Sequence, residues 1–239
     1  MSFDTIIEKI KSRGYWRFNF HPKVYTSELL SLGNCLDIVR NNSVSLRGWD
    51  YPHVPSRKDE SEGFSVADKY YHAWIDWNGY KEYWRMYQSG QFLHFSALHE
   101  DWDDENELIR GSTKPRNKGE IIYIDGSMLY QITEVFEFLS RLARASIYDD
   151  DIIVSISLHN IENRVLYVGN QSRAPFHNSY KAGTEAIPFS AEYSIEQLIE
   201  KPAYCSLEAT LFFYDRFAWH KPPIETLKKD QAELLSGLF

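Results

Sequence analysis

Two histidines and an arginine carry the most pointed chemistry in this sequence. His72, Arg85 and His94 lie in the stretch Lys69–Glu100, which reads as three antiparallel strands joined by two short turns. A pair of histidines can act as general base and general acid when one of them titrates near neutral pH. An arginine between them can hold a phosphoryl oxygen through two parallel hydrogen bonds. Such a set would suit cleavage of a phosphodiester without a metal, as in a phosphodiesterase or ribonuclease. The same row, flanked by Trp74, Tyr83 and Tyr87, would also suit a platform that stacks a planar group and pairs an anion with Arg85. Large aromatics on a sheet mostly serve packing, so the competing expectation is that a helix or loop covers this face.

What places the three side by side is a register. Asn-Gly between two strand-like runs is the strongest short hairpin signal, because both central residues of a type I′ turn need positive φ. With Asn78 and Gly79 as the loop, Trp77 pairs with Tyr80, Asp76 with Lys81, Trp74 with Tyr83, His72 with Arg85 and Tyr70 with Tyr87. Ser89-Gly90, read as a second two-residue loop, pairs Tyr87 with Phe92, Arg85 with His94 and Trp84 with Phe95. Side chains alternate between faces. One face then holds Tyr71, Met86, Leu93, Ala73, Trp84, Phe95, Ile75 and Ala97 as core, with Glu82 the misfit. The other holds the cationic row between aromatics. A slip of one residue would exchange the two faces.

A second candidate is the segment Arg47-Gly48-Trp49-Asp50-Tyr51-Pro52-His53, where a short strand runs out into a loop. Loops on a scaffold often carry binding residues. Arg47, Trp49 and His53 are its ligand-binding candidates, against the plainer reading of a Trp49 anchor beside an Asx turn at Asp50. Asp125-Gly126-Ser127, at a strand-to-helix turn, offers N–H groups to an anion or simply caps a helix, and the cap is favoured. The acidic run Glu100, Asp101, Asp103, Asp104, Glu105 and Glu107 lacks the glycine and glutamate positions of a calcium loop and reads as solvated. His94 and His99 fall on opposite faces, which argues against a shared metal. No dinucleotide, phosphate-loop, nucleophile-elbow or zinc-protease motif is present, and no cofactor is expected. Cys35 and Cys205 make neither metal-ligand spacing nor a disulfide framework, and read as buried reduced thiols.

The formal net charge is −8, with 43% hydrophobic and 15% aromatic residues. Non-specific nucleic-acid binding needs the opposite sign and is not expected. The start MSFDTIIEKIKSR lacks the apolar stretch of a signal peptide, and no apolar run is long enough to span a membrane. A cytoplasmic protein is therefore expected. Its expected partner is another protein or a small anionic or aromatic ligand, and an oligomer is compatible.

These residues must be positioned by ordinary elements. Apolar spacing predicts helices over 2–13, from Thr26 or Ser27 to Arg40, from Asp125-Gly126-Ser127 to Arg144, from Ser194 to Glu200, from Pro202 to Trp219 and from Ile224 to Leu235, with a strand as the alternative in the 203–219 segment because Leu211-Phe212-Phe213-Tyr214 is β-prone. Strands are expected at 15–20, 44–48, in the 69–99 meander and at 121–124. A hairpin is expected of 151–158 with 164–169. Residues 51–64, 99–119 and 170–192 read as irregular, and the acidic and basic halves of the second of these are placed to pair. The expectation is one α+β domain over residues 1–239, an antiparallel sheet containing the meander, with helices packed mainly on one face. Helices 2–13, 27–40 and 127–144 are expected on the core face. Function is expected to be ligand or partner binding through the aromatic, cationic face and the adjoining loops. A phosphodiesterase and a structural subunit are the alternatives.

Overall fold

The computed structural model describes residues 3–77, 79–105, 119–170 and 172–237. Within it, β3 (Tyr70–Trp77) and β4 (Tyr80–Tyr87) pair as their turn demands. Trp77 lies opposite Tyr80, His72 opposite Arg85 and Tyr70 opposite Tyr87. Gly79 has φ +87°, the left-handed value a type I′ turn needs and glycine takes without steric cost. Asn78, its partner in the expected turn, lies outside the described residues. Asp76 and Lys81 form the expected cross-strand pair, 2.8 Å apart.

The second reversal is one residue longer than the sequence suggests. The Gly90 N–H donates to the Tyr87 carbonyl at 3.0 Å, and the Tyr87 N–H to the Gln91 carbonyl at 2.9 Å. The loop is thus Gln88-Ser89-Gly90, closed by Gly90 at φ +79°. Three-residue hairpins characteristically end on such a left-handed residue. β5 (Phe92–Ala97) therefore meets β4 with Arg85 opposite Leu93, Trp84 opposite His94 and Tyr83 opposite Phe95. The pairs Arg85/His94, Tyr87/Phe92 and Trp84/Phe95 do not form. His94 moves to the side of Trp84, and Leu93 and Phe95 move to the side of Arg85. Gly90→Ala should cost about 1–2 kcal/mol, because an L residue is strained in the left-handed region. Its Cβ would also lie 2.9 Å from Leu29. An unchanged urea midpoint would count against the three-residue turn.

The meander is part of a seven-stranded sheet in the order β2-β3-β4-β5-β1-β7-β9, antiparallel at every junction. The added strands are β1 (Tyr15–Pro22), β2 (Glu62–Val66), β7 (Ile152–His159) and β9 (Ala186–Tyr193). β2 and β9 are edge strands in stretches that read as irregular. The expected hairpin of 151–158 with 164–169 is not made. β7 already has β1 and β9 on its two sides, so β8 (Val165–Tyr167) pairs instead with β6 (Ile121–Tyr123), in parallel. The expected strand at 44–48 reduces to a single bridge between Val44 and Tyr51.

One face of the sheet supplies the main core. Trp16, Phe18 and Phe20 of β1, Trp84 and Met86 of β4, Phe92 of β5 and Val154, Ile156 and Leu158 of β7 are all buried there. Against them pack α2 (Leu32–Asn42), α3 (Gln131–Arg144), α4 (Ile195–Glu200), α5 (Pro202–Arg216) and α6 (Ile224–Leu235). α2 is capped by Ser31, whose hydroxyl accepts the Asn34 N–H, and so begins later than Thr26 or Ser27. α4 has a capping box of Ser194 and Gln197. A π-helical turn at Ile124–Tyr130 precedes α3, so α3 itself starts after Ser127. The class is α+β, with the helices mainly on one side. α1 (Phe3–Lys11) is the exception to the expected packing. Its Ile6 and Ile10 bury Tyr15, Trp74, Tyr83 and Phe95 on the opposite face.

A buried ion pair ties this end together. Asp101 accepts N–H bonds from Gly14 at 2.8 Å and Gly119 at 3.1 Å. Arg164 grips the same carboxylate with both terminal nitrogens. The α1–β1 turn, the 99–101 turn and the loop after β7 thus converge on one group. A side chain at Gly14 would strike Arg164, its Cβ 2.5 Å from the guanidinium. Cys35 and Cys205 are buried and not joined in a disulfide, and burial pushes both thiols up to about 11. Among the described residues no helix is long and apolar enough to cross a membrane.

Candidate functional site

The shifted register takes the expected cationic row apart. His72 and Arg85 face each other on the outer side of the sheet, while His94 points into the core side. His72 is buried, its Nδ1 2.9 Å from the Tyr83 hydroxyl. Burial, with help from nearby Arg85 and Lys58, brings its imidazole down to about 4. Arg85 donates through Nε to the Tyr83 hydroxyl at 2.6 Å and through a terminal nitrogen to the Tyr87 hydroxyl at 3.3 Å. Its guanidinium lies 4.7 Å from the Tyr70 ring centre. Trp74 and Tyr83 lie under α1 and are 5% and 0% exposed. They are closed to a ligand. The set His72, Arg85 and His94 cannot converge on one phosphate, and the phosphodiesterase geometry is withdrawn.

His94 belongs to a different cluster. Its Nε2 is 3.3 Å from Glu82 and its Nδ1 3.0 Å from the Tyr51 hydroxyl. An ionised carboxylate only accepts, so Nε2 carries the proton and, in the neutral ring, Nδ1 accepts from Tyr51. Glu82 also accepts the His53 N–H at 3.4 Å. Burial works to raise its pKa, but the contacts from His94 and His53 outweigh it, and Glu82 is held below the usual carboxylate range. This is the residue that spoiled an otherwise apolar face in the sequence. Its pairing residue, Ser96, is polar too, and together they were the available signal for a site on the core side.

Glu82 and Ser96 open into a cleft of about 420 Å³. Three segments complete it. The first is the loop after the Val44 bridge, which contributes Arg47 and Trp49. The second is the β6–α3 connection, with Tyr123, Asp125 and Tyr130, and the third is Gly169-Asn170 beyond β8. Trp49 packs edge-on against Tyr80 at 4.5 Å, and Tyr80 stacks on His99 at 5.6 Å and 17°. Trp49 remains 36% exposed, unlike most of the large side chains around it.

The loop holds its shape through Arg47. Nε donates to Glu134 at 3.0 Å, and the terminal nitrogens donate to the Gly126 carbonyl at 2.9 Å, to Gln131 at 3.2 Å and to the second oxygen of Glu134. Four of its five N–H groups are thereby used within the fold. Burial raises the Glu134 pKa against the pull of Arg47. Arg47 and Trp49 therefore line the cleft, as their grouping suggests, and Arg47 acts chiefly as its brace. His53 does not line it. Its ring lies 3.4 Å from Glu62 and its carbonyl accepts the Trp84 indole N–H at 2.7 Å.

The turn at Asp125-Gly126-Ser127 is neither a plain cap nor an N–H cradle. Asp125 takes the Gly126 N–H on one oxygen at 2.7 Å and the Asn170 N–H on the other at 3.1 Å. Ser127 donates to Glu100 at 2.7 Å. The turn presents a carboxylate to the cleft. Of the acidic run, Glu100 and Asp101 are buried acceptors rather than solvated groups, and Glu107 lies outside the described residues, as does most of the basic half it was expected to meet. Among the described residues no three His, Cys, Asp or Glu side chains are grouped to hold a metal ion. Comparison with known proteins finds no matching family model, curated protein or solved structure.

Proposed function

We propose that the chain is a binding module that takes a small ligand in the cleft between the Arg47–Trp49 loop and the ends of β4 and β5. The outer face of the meander, where the sequence placed the contact surface, is set aside because α1 covers Trp74 and Tyr83 and Arg85 is engaged by the Tyr83 and Tyr87 hydroxyls. The observation that carries the reading is the cleft itself. At about 420 Å³ it falls within the roughly 300–1,000 Å³ common to small-molecule sites, and it joins aromatic walls to a few fixed polar groups. Two buried cysteines outside any disulfide support a cytoplasmic setting.

Thermal unfolding across a chemically mixed set of small molecules tests the proposal. A ligand at a hundredfold excess over its Kd should stabilise the fold by about 2.7 kcal/mol. Trp49→Ala should abolish that gain while changing the unliganded stability by no more than about 1 kcal/mol, the worth of its contact with Tyr80. If every stabilising compound acts equally on Trp49→Ala and the parent, the binding site is elsewhere.

A further inference from the structure

We infer that the cleft selects a planar cation, such as an amidinium or guanidinium group joined to an apolar body. The inference rests on the cleft being the binding site, and concerns the charge of what enters it. The sequence suggested the opposite sign, with Arg85 as an anion partner. Arg85, however, lies on the outer sheet face among tyrosines.

Three observations support the inference. First, the cleft is lined by two basic side chains, Arg47 and Lys81, as well as by two acidic ones, but both bases are held by carboxylates that do not line it, Lys81 by Asp76 and Glu105 and Arg47 by Glu134. Glu82 and Asp125 line it and Glu134 stands behind Arg47, which satisfies Glu134 with a two-pronged bond. Arg47 makes no direct hydrogen bond to Glu82 or Asp125. Second, Glu82 is incompletely answered. Both of its hydrogen bonds, from His94 and His53, fall on Oε2 and are 3.3 and 3.4 Å long. Oε1 takes neither, although the side chain is only 12% exposed. A charged N–H donor makes shorter and stronger bonds to such a group than a neutral one. Third, the wall beside it is aromatic, with Trp49 edge-on to Tyr80 and Tyr80 stacked on His99. Aromatic faces attract cations, and a flat cation can lie against a ring while donating to a carboxylate at its edge.

Benzamidinium, benzamide and benzoate test this directly, because they share a ring and a flat outline but carry charges of opposite sign or none. Kd values from titrations followed by ligand-observed NMR should place benzamidinium at least about tenfold tighter than benzamide, with benzoate weaker than both. Glu82→Gln should weaken benzamidinium by about tenfold or more and leave benzamide within about twofold. Asp125→Asn, in a separate segment, should act in the same direction, which guards against a folding defect in either variant. Equal binding of the three probes, preference for benzoate, or indifference to both substitutions overturns the inference. So does failure of all three to bind. If compounds from the mixed set still lose their effect in Trp49→Ala, the cleft reading survives any of those results and only its charge preference falls.

Discussion

Arg47→Met should lower the folding free energy by about 3–5 kcal/mol, the usual cost of leaving one member of a buried ion pair without its partner. Glu134 has a side chain only 1% exposed. It cannot turn to water, and the Gly126 carbonyl and Gln131 lose their donor as well. The loss should also depend on pH. Burial already raises the folded pKa of Glu134 above its ordinary 4.5, and Arg47 opposes that rise. Without Arg47 the folded carboxyl holds its proton to still higher pH, whereas the unfolded chain releases it near the ordinary value. Below that value the variant keeps the stability this group provides; as pH climbs toward the folded pKa it loses it. Urea midpoints at pH 5 and pH 8 measure both effects. A loss under about 1 kcal/mol, or one independent of pH, would show that the pair does not brace the loop. Arg47→Met combined with Glu134→Leu should recover much of the loss, since an apolar pair of similar volume often replaces a buried ion pair at little cost.

Asp101→Ala is expected to be as damaging, again about 3–5 kcal/mol by urea unfolding. Arg164 would be left with a side chain 3% exposed and no carboxylate, and the N–H groups of Gly14 and Gly119 would lose their acceptor. Asp104→Ala makes the comparison sharp. Its bond to Arg13 is more than a third open to solvent on the Asp104 side, and exposed pairs contribute about 0–1 kcal/mol. Similar midpoints for the two variants would refute the assignment of Asp101 as the point where these turns converge.

The β3–β4 half of the meander was legible because Asn-Gly admits essentially one short reversal. Ser-Gly does not. Gly90 serves as well at the end of a three-residue loop, and the alternation in β5 pointed the wrong way. Leu93, Phe95 and Ala97 are the more apolar set, so they read as the core side, yet Phe92, His94 and Ser96 face the main core. Both sets are covered, one by the helix layer and the other by α1, with Leu93 and Ala97 only partly buried, and alternation cannot rank two covered faces. The stripe of Ile6 and Ile10 predicts the helix but not the side it chooses. β2 and β9 escaped notice because they are edge strands, with half-exposed or exposed positions and, in β9, a proline. The pairing of β6 with β8 depends on β7 being occupied on both sides, which no local pattern records. The site was partly visible. Arg47 and Trp49 stood out in their loop, but Glu82 and Asp125 come from distant segments and come to line one cleft only in the folded chain.

The place of β1 between β5 and β7 has a consequence for how this chain can be dissected. The meander is local in sequence and looks separable, but its inner margin is completed by a strand from far upstream. Cut away from β1, it would expose a row of unpaired peptide groups along β5, flanked by Phe92 and Phe95. Such an uncapped border invites other molecules to add to it, so an excised meander should be a seed for aggregation rather than a miniature of the whole.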